Sequence, residues 1–210
     1  SKIPADPGFT EPAFQALSAK VKGKTVLCSL MLDEMAIRKQ VSLNGDKLCG
    51  YVDHADGAAD DDSVPVAADA LVLMAVSLND SRKVPCAYFF VNGLSGEERA
   101  NLIQEYIRRL HDAGVTVVSL TCDGPSCHFS MLKHLGVILD PATLKAFFVH
   151  PLNQQNKIYV FLDICHMLKL VRNTLGTGGV FIDQDGNKIL WQYFVELQKL
   201  QDEVSDLGTS

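Results

Sequence analysis

The chain has 210 residues, with 47% hydrophobic and 21% charged residues, values that fit a folded domain with one sizeable core. No stretch approaches about 18 consecutive apolar residues, which excludes a transmembrane helix, and Ser1-Lys2-Ile3-Pro4-Ala5-Asp6-Pro7 lacks the apolar centre of a signal peptide. A net charge of −6 is the wrong sign for a self-sufficient grip on nucleic acid, so DNA affinity would have to come largely from other parts of a longer protein. The lack of an initiator Met and the Gly208-Thr209-Ser210 ending read as an excised fragment.

Residues 1–23 read as an extended lead and a docking helix, with Thr10 ahead of Glu11-Pro12 and Phe14, Leu17 and Val21 at helical spacing. Lys24–Leu32 is an apolar run that ends in Asp33-Glu34, as a doubly buried central strand would. Asn44-Gly45-Asp46 marks a hairpin turn, and Asp56–Pro65 a loop whose Asp60-Asp61-Asp62 run reads as a solvated face. Ala70–Leu78 and Cys86–Val91 are two further strands.

Ser95-Gly96-Glu97-Glu98 is a capping box, and Ile103, Tyr106, Ile107 and Leu110 form the apolar stripe of the helix it opens. Val115–Thr121 is a buried strand, followed by Asp123-Gly124-Pro125 and a short helix through Leu135. Pro141–His150 reads as a helix or turn, Lys157–Leu162 as a strand, and Ile164–Leu175 as a helix with Ile164, Leu168, Val171 and Leu175 toward a core. Gly176–Gly179 reads as a flexible turn, Asp185-Gly186 as the centre of a hairpin, and Trp191–Asp206 as a last helix. The expected class is α/β, a mixed five-stranded sheet with helices on both faces. Its parts are an N-terminal extension and helix (1–23), a core (24–176), and a hairpin and helix (177–210).

Two acids end apolar strands, Asp33 and Asp123. An unpaired charge at the end of a buried strand is costly, and a divalent cation with its taste for hard oxygen ligands gathers such carboxylates. Strand or helix capping explains each of them equally well. Asp163 ends a third apolar run, and the helix after it carries His166, Lys169, Arg172 and Asn173, whose cations suit phosphates. The six cysteines read as buried thiols of a reducing compartment. Cys122, Cys127 and His128 could open a zinc site but lack a second Cys/His pair at suitable spacing. A hydrolase built on Cys165 or Cys127 would need a spatial dyad that sequence neighbours seldom form.

Several stretches, taken in order, resemble the P-element-type DNA transposases, including those of animals that carry a THAP zinc finger. They are Gly8-Phe9-Thr10-Glu11-Pro12-Ala13-Phe14, Leu32-Asp33-Glu34-Met35, Gly50-Tyr51-Val52-Asp53, Thr121-Cys122-Asp123-Gly124, the Asp163/His166/Lys169/Arg172-Asn173 pattern, and Trp191 leading into Leu197–Gln201. The resemblance implies a ribonuclease H-like fold and an Asp-Asp-Glu site using Mg²⁺ or Mn²⁺, with Asp33 and Asp123 as the first two catalytic metal ligands. It implies that Asp163 and His166 support the site, that Lys169, Arg172 and Asn173 bind DNA, and that the partners are transposon-end and target DNA. The full-length family would be a nuclear homo-oligomer with a GTP-specific insertion after roughly the Trp191 helix, so that neither the insertion nor the final Glu is expected in this chain. Glu196 and Glu203, on the last helix, are the candidate substitutes for that acid. The alternative is a domesticated, non-catalytic domain that binds DNA or protein.

Overall fold

The computed structural model describes residues 7–21, 24–44, 47–53 and 64–207. The Asp60-Asp61-Asp62 run and the Gly45-Asp46 turn lie outside the described residues. The chain divides into two compact units, Ser1–Asp163 and Ile164–Ser210.

In the first unit the elements are β1 (Gly8–Phe9), α1 (Glu11–Val21), β2 (Val26–Ala36), β3 (Ser42–Asn44), β4 (Lys47–Cys49), β5 (Asp69–Ser77), β6 (Lys83–Val91), α2 (Gly96–Asp112), β7 (Val115–Cys122), α3 (Ser126–His134), β8 (Phe147–His150) and β9 (Asn153–Leu162). Seven strands form one sheet in the order β1-β6-β5-β2-β7-β9-β8, while β3 and β4 make a separate hairpin. The chain runs β2-β5-β6 as an antiparallel meander, crosses over through α2, and returns to lay β7 parallel to β2 and β9 parallel to β7. The five expected strands are therefore all present, and short pairings at either edge add β1 and β8.

Alternation explains why the long strands hold their register. Val26, Cys28, Leu30 and Leu32 of β2 are buried, as are Ile158 and Val160 of β9, whereas Met31, Tyr159 and Phe161 between them are exposed. In this unit α1, α2 and α3 pack on the buried side of the sheet.

Helix α2 starts as its sequence demands: Glu98 N donates to Ser95 Oγ (3.2 Å) and Ser95 N donates to Glu98 Oε2 (2.8 Å). It ends at Gly114, whose φ of +80° favours glycine. Phe9 meets Phe89 edge-on at 5.3 Å and Phe14 meets Tyr106 at 6.1 Å, so the N-terminal lead is docked by aromatic contacts.

Pro141–His150, expected as a helix or turn, is a turn only at its start; residues 147–150 form a strand. Asp140 Oδ1 accepts from Ala142 N (2.7 Å) to make a local turn, and Phe148 is then buried as part of the sheet.

The second unit contains α4 (Ile164–Gly178), β10 (Val180–Ile182), β11 (Lys188–Leu190) and α5 (Gln192–Leu207). The β10–β11 hairpin closes around Asp183, whose Oδ1 accepts from Asp185 N and Asn187 N. Gly176 and Gly178 are helical and not a flexible turn: Gly176 lies against the Trp191 ring, and the helix stops at Gly179, with φ +74°. Of the four α4 residues expected in a core, Leu175 is buried, while Ile164, Leu168 and Val171 are exposed. A 3.6-residue apolar period shows that a face exists but not that this chain covers it. Among the described residues no helix is long and apolar enough to cross a membrane.

Burial pushes the thiols of Cys28 and Cys122 from an ordinary 9.0 up to about 12, and raises the Tyr106 phenol well above its usual value. A folded-state pKa raised this way contributes stability that is complete below pH 9 and is lost as pH rises toward 12. The urea midpoint is expected to hold from neutral pH to about 9 and to fall steadily above it; a midpoint unchanged at pH 11 would contradict this burial.

Candidate metal centre at the strand ends

The parallel ladders place three acids side by side. The last β2–β7 pair is Leu32 with Cys122, and the last β7–β9 pair is Cys122 with Leu162. One residue further along, Asp33, Asp123 and Asp163 stand in a row just past the parallel β2–β7–β9 ladders, with adjacent strands about 4.8 Å apart, while β2 itself runs on to Ala36 against β5. The Asp163 amide continues the ladder by donating to Cys122 O at 2.8 Å. Asp33 is exposed, and Asp123 and Asp163 are half-buried. In open sheets, ligands bind in the crevice at such carboxyl ends, where the connections leave in different directions.

Behind this row lies a polar network that the sequence did not bring out. Glu34 points the other way from Asp33, as alternation requires, and receives Arg99 of α2 in a two-pronged contact: Nη1 to Oε2 at 2.6 Å and Nη2 to Oε1 at 3.0 Å. Arg99 Nε donates to Leu94 O (3.3 Å), and its Nη1 lies 3.5 Å from His128 Nε2. His128 Nδ1 lies 2.5 Å from Asp123 Oδ1. Arg99 and His128 are 3% and 0% exposed. Burial disfavours the charge on Arg99, yet the hydrogen bonds and charge of Glu34 more than offset this and hold its pKa above the ordinary value.

Among the described residues, the three potential metal-binding groups whose ligand atoms lie within 4.8 Å of one another are Glu34, Cys127 and His128. Arg99 already puts its guanidinium where a cation would bind Glu34, so this cluster is poorly suited to a metal. It also lacks Cys122, the third member of the zinc motif considered from sequence, whose thiol is buried. The strand-end acids are not gathered that closely, as mutually repelling carboxylates should not be without a cation between them. Their hard-oxygen donor set suits Mg²⁺ or Mn²⁺.

His166, Lys169, Arg172 and Asn173 are all on α4, in the other unit, with the last three exposed. Arg172 donates through Nε and Nη2 to Asn173 Oδ1 (3.2 and 2.8 Å). The substitute acids Glu196 and Glu203 are on α5 of that unit as well, and Glu196 is engaged by Lys199 and Gln192, the lysine chiefly lowering its pKa. Cys165 is exposed and Cys127 half-buried; the Cys49 side chain lies outside the described residues.

Strands in chain order 3-2-1-4-5 (β6, β5, β2, β7, β9), with acids at the ends of the first and fourth, define the ribonuclease H-like class of nucleic-acid-processing folds. The family model described as TNP-like, RNase H N-terminal domain, matches residues 5–136, and the chain belongs to this transposase family. A second model, TNP-like, GTP-binding insertion domain, matches residues 165–209. That match takes in α4 as well as the hairpin and helix of residues 177–210, which the sequence alone sets at the start of the insertion region, so part of the insertion is present in this chain. Asp163 passes directly into α4, and no linker composition marks the boundary.

The human DNA transposase THAP9 is 33% identical over 97% of this chain, and the Drosophila melanogaster transposable element P transposase is 30% identical over 50% of it. The chain spans 23% and 13% of the lengths of these relatives. In fold it is similar to the Drosophila P element transposase strand transfer complex, with a TM-score of 0.67, 22% identity, and coverage of 93% of this chain and 39% of that one.

The buried ion pair yields a stability test. Glu34→Ala is expected to cost about 3–5 kcal/mol by stranding Arg99, and Glu34→Met with Arg99→Met to recover most of that loss, as read by urea denaturation. A single variant within about 0.5 kcal/mol of the parent would show that the pair is not desolvated.

Proposed function

We propose that this transposase-derived chain supplies the first catalytic acids, and the beginning of the GTP-binding insertion, of an enzyme that cuts and joins DNA with a divalent metal. The alignment of Asp33 and Asp123, each one residue past the parallel β2–β7 ladder, carries the reading. These two residues would hold Mg²⁺ or Mn²⁺, with Asp163 beside them in the same row. Bound there, the ion would supply Lewis-acid stabilisation of charge at phosphorus and a lowered pKa for attacking water.

The chain's own residues have distinct tasks in this account. Asp33 and Asp123 would supply carboxylate oxygens to the ion, and Asp163 and His166 would position the DNA. Lys169 and Arg172 would neutralise backbone phosphates, with Asn173 adding a hydrogen-bonding group, which offsets the unfavourable net charge of the chain. Hydrolysis at a transposon end and attack of the freed 3′-hydroxyl on target DNA are both in-line displacements, so one site serves both. The substrates are transposon-end and target DNA, and the working protein would be a nuclear homo-oligomer that uses GTP through the insertion domain, to which the match at residues 165–209 lends support.

Strand cleavage is measured in the full-length protein with Mg²⁺ or Mn²⁺. Asp33→Asn and Asp123→Asn are each expected to lower it by at least about 100-fold, the loss of several kcal/mol of charge stabilisation, while DNA binding persists. DNA or protein binding without cleavage, indifferent to both changes, would instead favour a domesticated, non-catalytic domain.

A further inference from the structure

Helices α2 and α3 touch at Gly96. A Cβ there would lie 2.2 Å from Ser130 Oγ and 2.8 Å from Met131 N, so no larger residue fits without displacing the α3 backbone. This close approach sets Arg99, in the first turn of α2, against His128, in the first turn of α3. The result is a continuous buried path, Glu34–Arg99–His128–Asp123, that joins the residue beside Asp33 to Asp123 itself.

The chemistry of the path gives it a direction. A guanidinium has donors only, so His128 Nε2, 3.5 Å from Arg99 Nη1, must present its lone pair. The ring hydrogen is then on Nδ1, which faces Asp123 at both its backbone carbonyl (3.4 Å) and its Oδ1 (2.5 Å). The opposite tautomer would set two N–H groups against each other and a lone pair against a carboxylate. Partners of this kind around metal-binding carboxylates fix orientation and are worth about 10–100-fold in metal affinity.

We infer that Arg99 and His128 are positioning residues: Arg99 selects the His128 tautomer, and His128 holds the Asp123 carboxylate in the orientation that receives a divalent cation. This rests on the metal reading above. An imidazole N–H suits the task because it orients one oxygen without bringing a full cation to compete with the metal. By also clamping Glu34, Arg99 braces the β2 end that carries Asp33.

Two readouts on this chain separate the positioning role from the metal reading. Long-range ¹H–¹⁵N spectra of the metal-free chain should show His128 protonated at Nδ1 and bare at Nε2. Mn²⁺ titration should then find affinity about 10–100-fold weaker in His128→Leu and largely kept in His128→Asn, whose amide nitrogen replaces the Nδ1 donor. Amide spectra verify that each variant is folded. A hydrogen on Nε2, or a folded His128→Leu that binds Mn²⁺ as tightly as the parent, would overturn the positioning role alone. No Mn²⁺ binding by the parent chain, with the Nδ1 signature intact, would overturn the metal reading and the positioning role with it.

Discussion

Parallel pairing of β2, β7 and β9 is the constraint on which the candidate site depends. Parallel strands cannot be joined by a tight turn, so the chain must cross over, and α2 does so between β6 and β7. The same geometry brings the ends of both parallel ladders to one side of the sheet. An acid placed one residue past the last ladder pair of each strand therefore joins a common row, although Asp33, Asp123 and Asp163 are far apart in sequence. An antiparallel arrangement of the same strands would have put neighbouring ends on opposite edges.

The crossover helix supports the row as well as connecting it. Its apolar stripe, Ile103, Tyr106, Ile107 and Leu110, is sealed into the core, and Arg99 enters that core in the same helical phase. A buried cation is tolerable only if paired, and Glu34 supplies the pair. Because Glu34 follows Asp33 on a strand, the two carboxylates leave opposite faces: one neutralises Arg99 and the other stays open to the crevice. Two adjacent acids thus have different fates, set by alternation alone.

Much of the first unit was legible because its signals are local. The capping box at Ser95, the apolar run of β2 and the Asn44-Gly45 turn signal each specify an element from a few residues, although β2 is buried on one face and not on both as that run implied. The strand at Phe147–His150 was missed because the sheet edge that recruits Phe148 is a non-local partner. Asp33, Asp123 and Asp163 were visible as strand-ending acids, but their alignment depends on register. Arg99 could have been found: it stands four residues before Ile103, in phase with the apolar stripe, where a cation calls for a buried partner. His128 gave no such signal, since its contact with Asp123 depends on the turn at Gly124-Pro125 and on the α2–α3 packing. The exposed apolar residues of α4 show the converse limit, a periodic face with no cover in this chain.

The central claim is that the row of strand-end acids binds a divalent cation. Paramagnetic line broadening by substoichiometric Mn²⁺ locates such an ion directly in the amide spectrum. The account predicts that the signals of Asp33, Asp123, Gly124 and Asp163 broaden first, and that Mg²⁺ in excess restores them. Broadening centred instead on the Asp183–Asn187 hairpin or on α5, or spread evenly over the acidic surface, would contradict it.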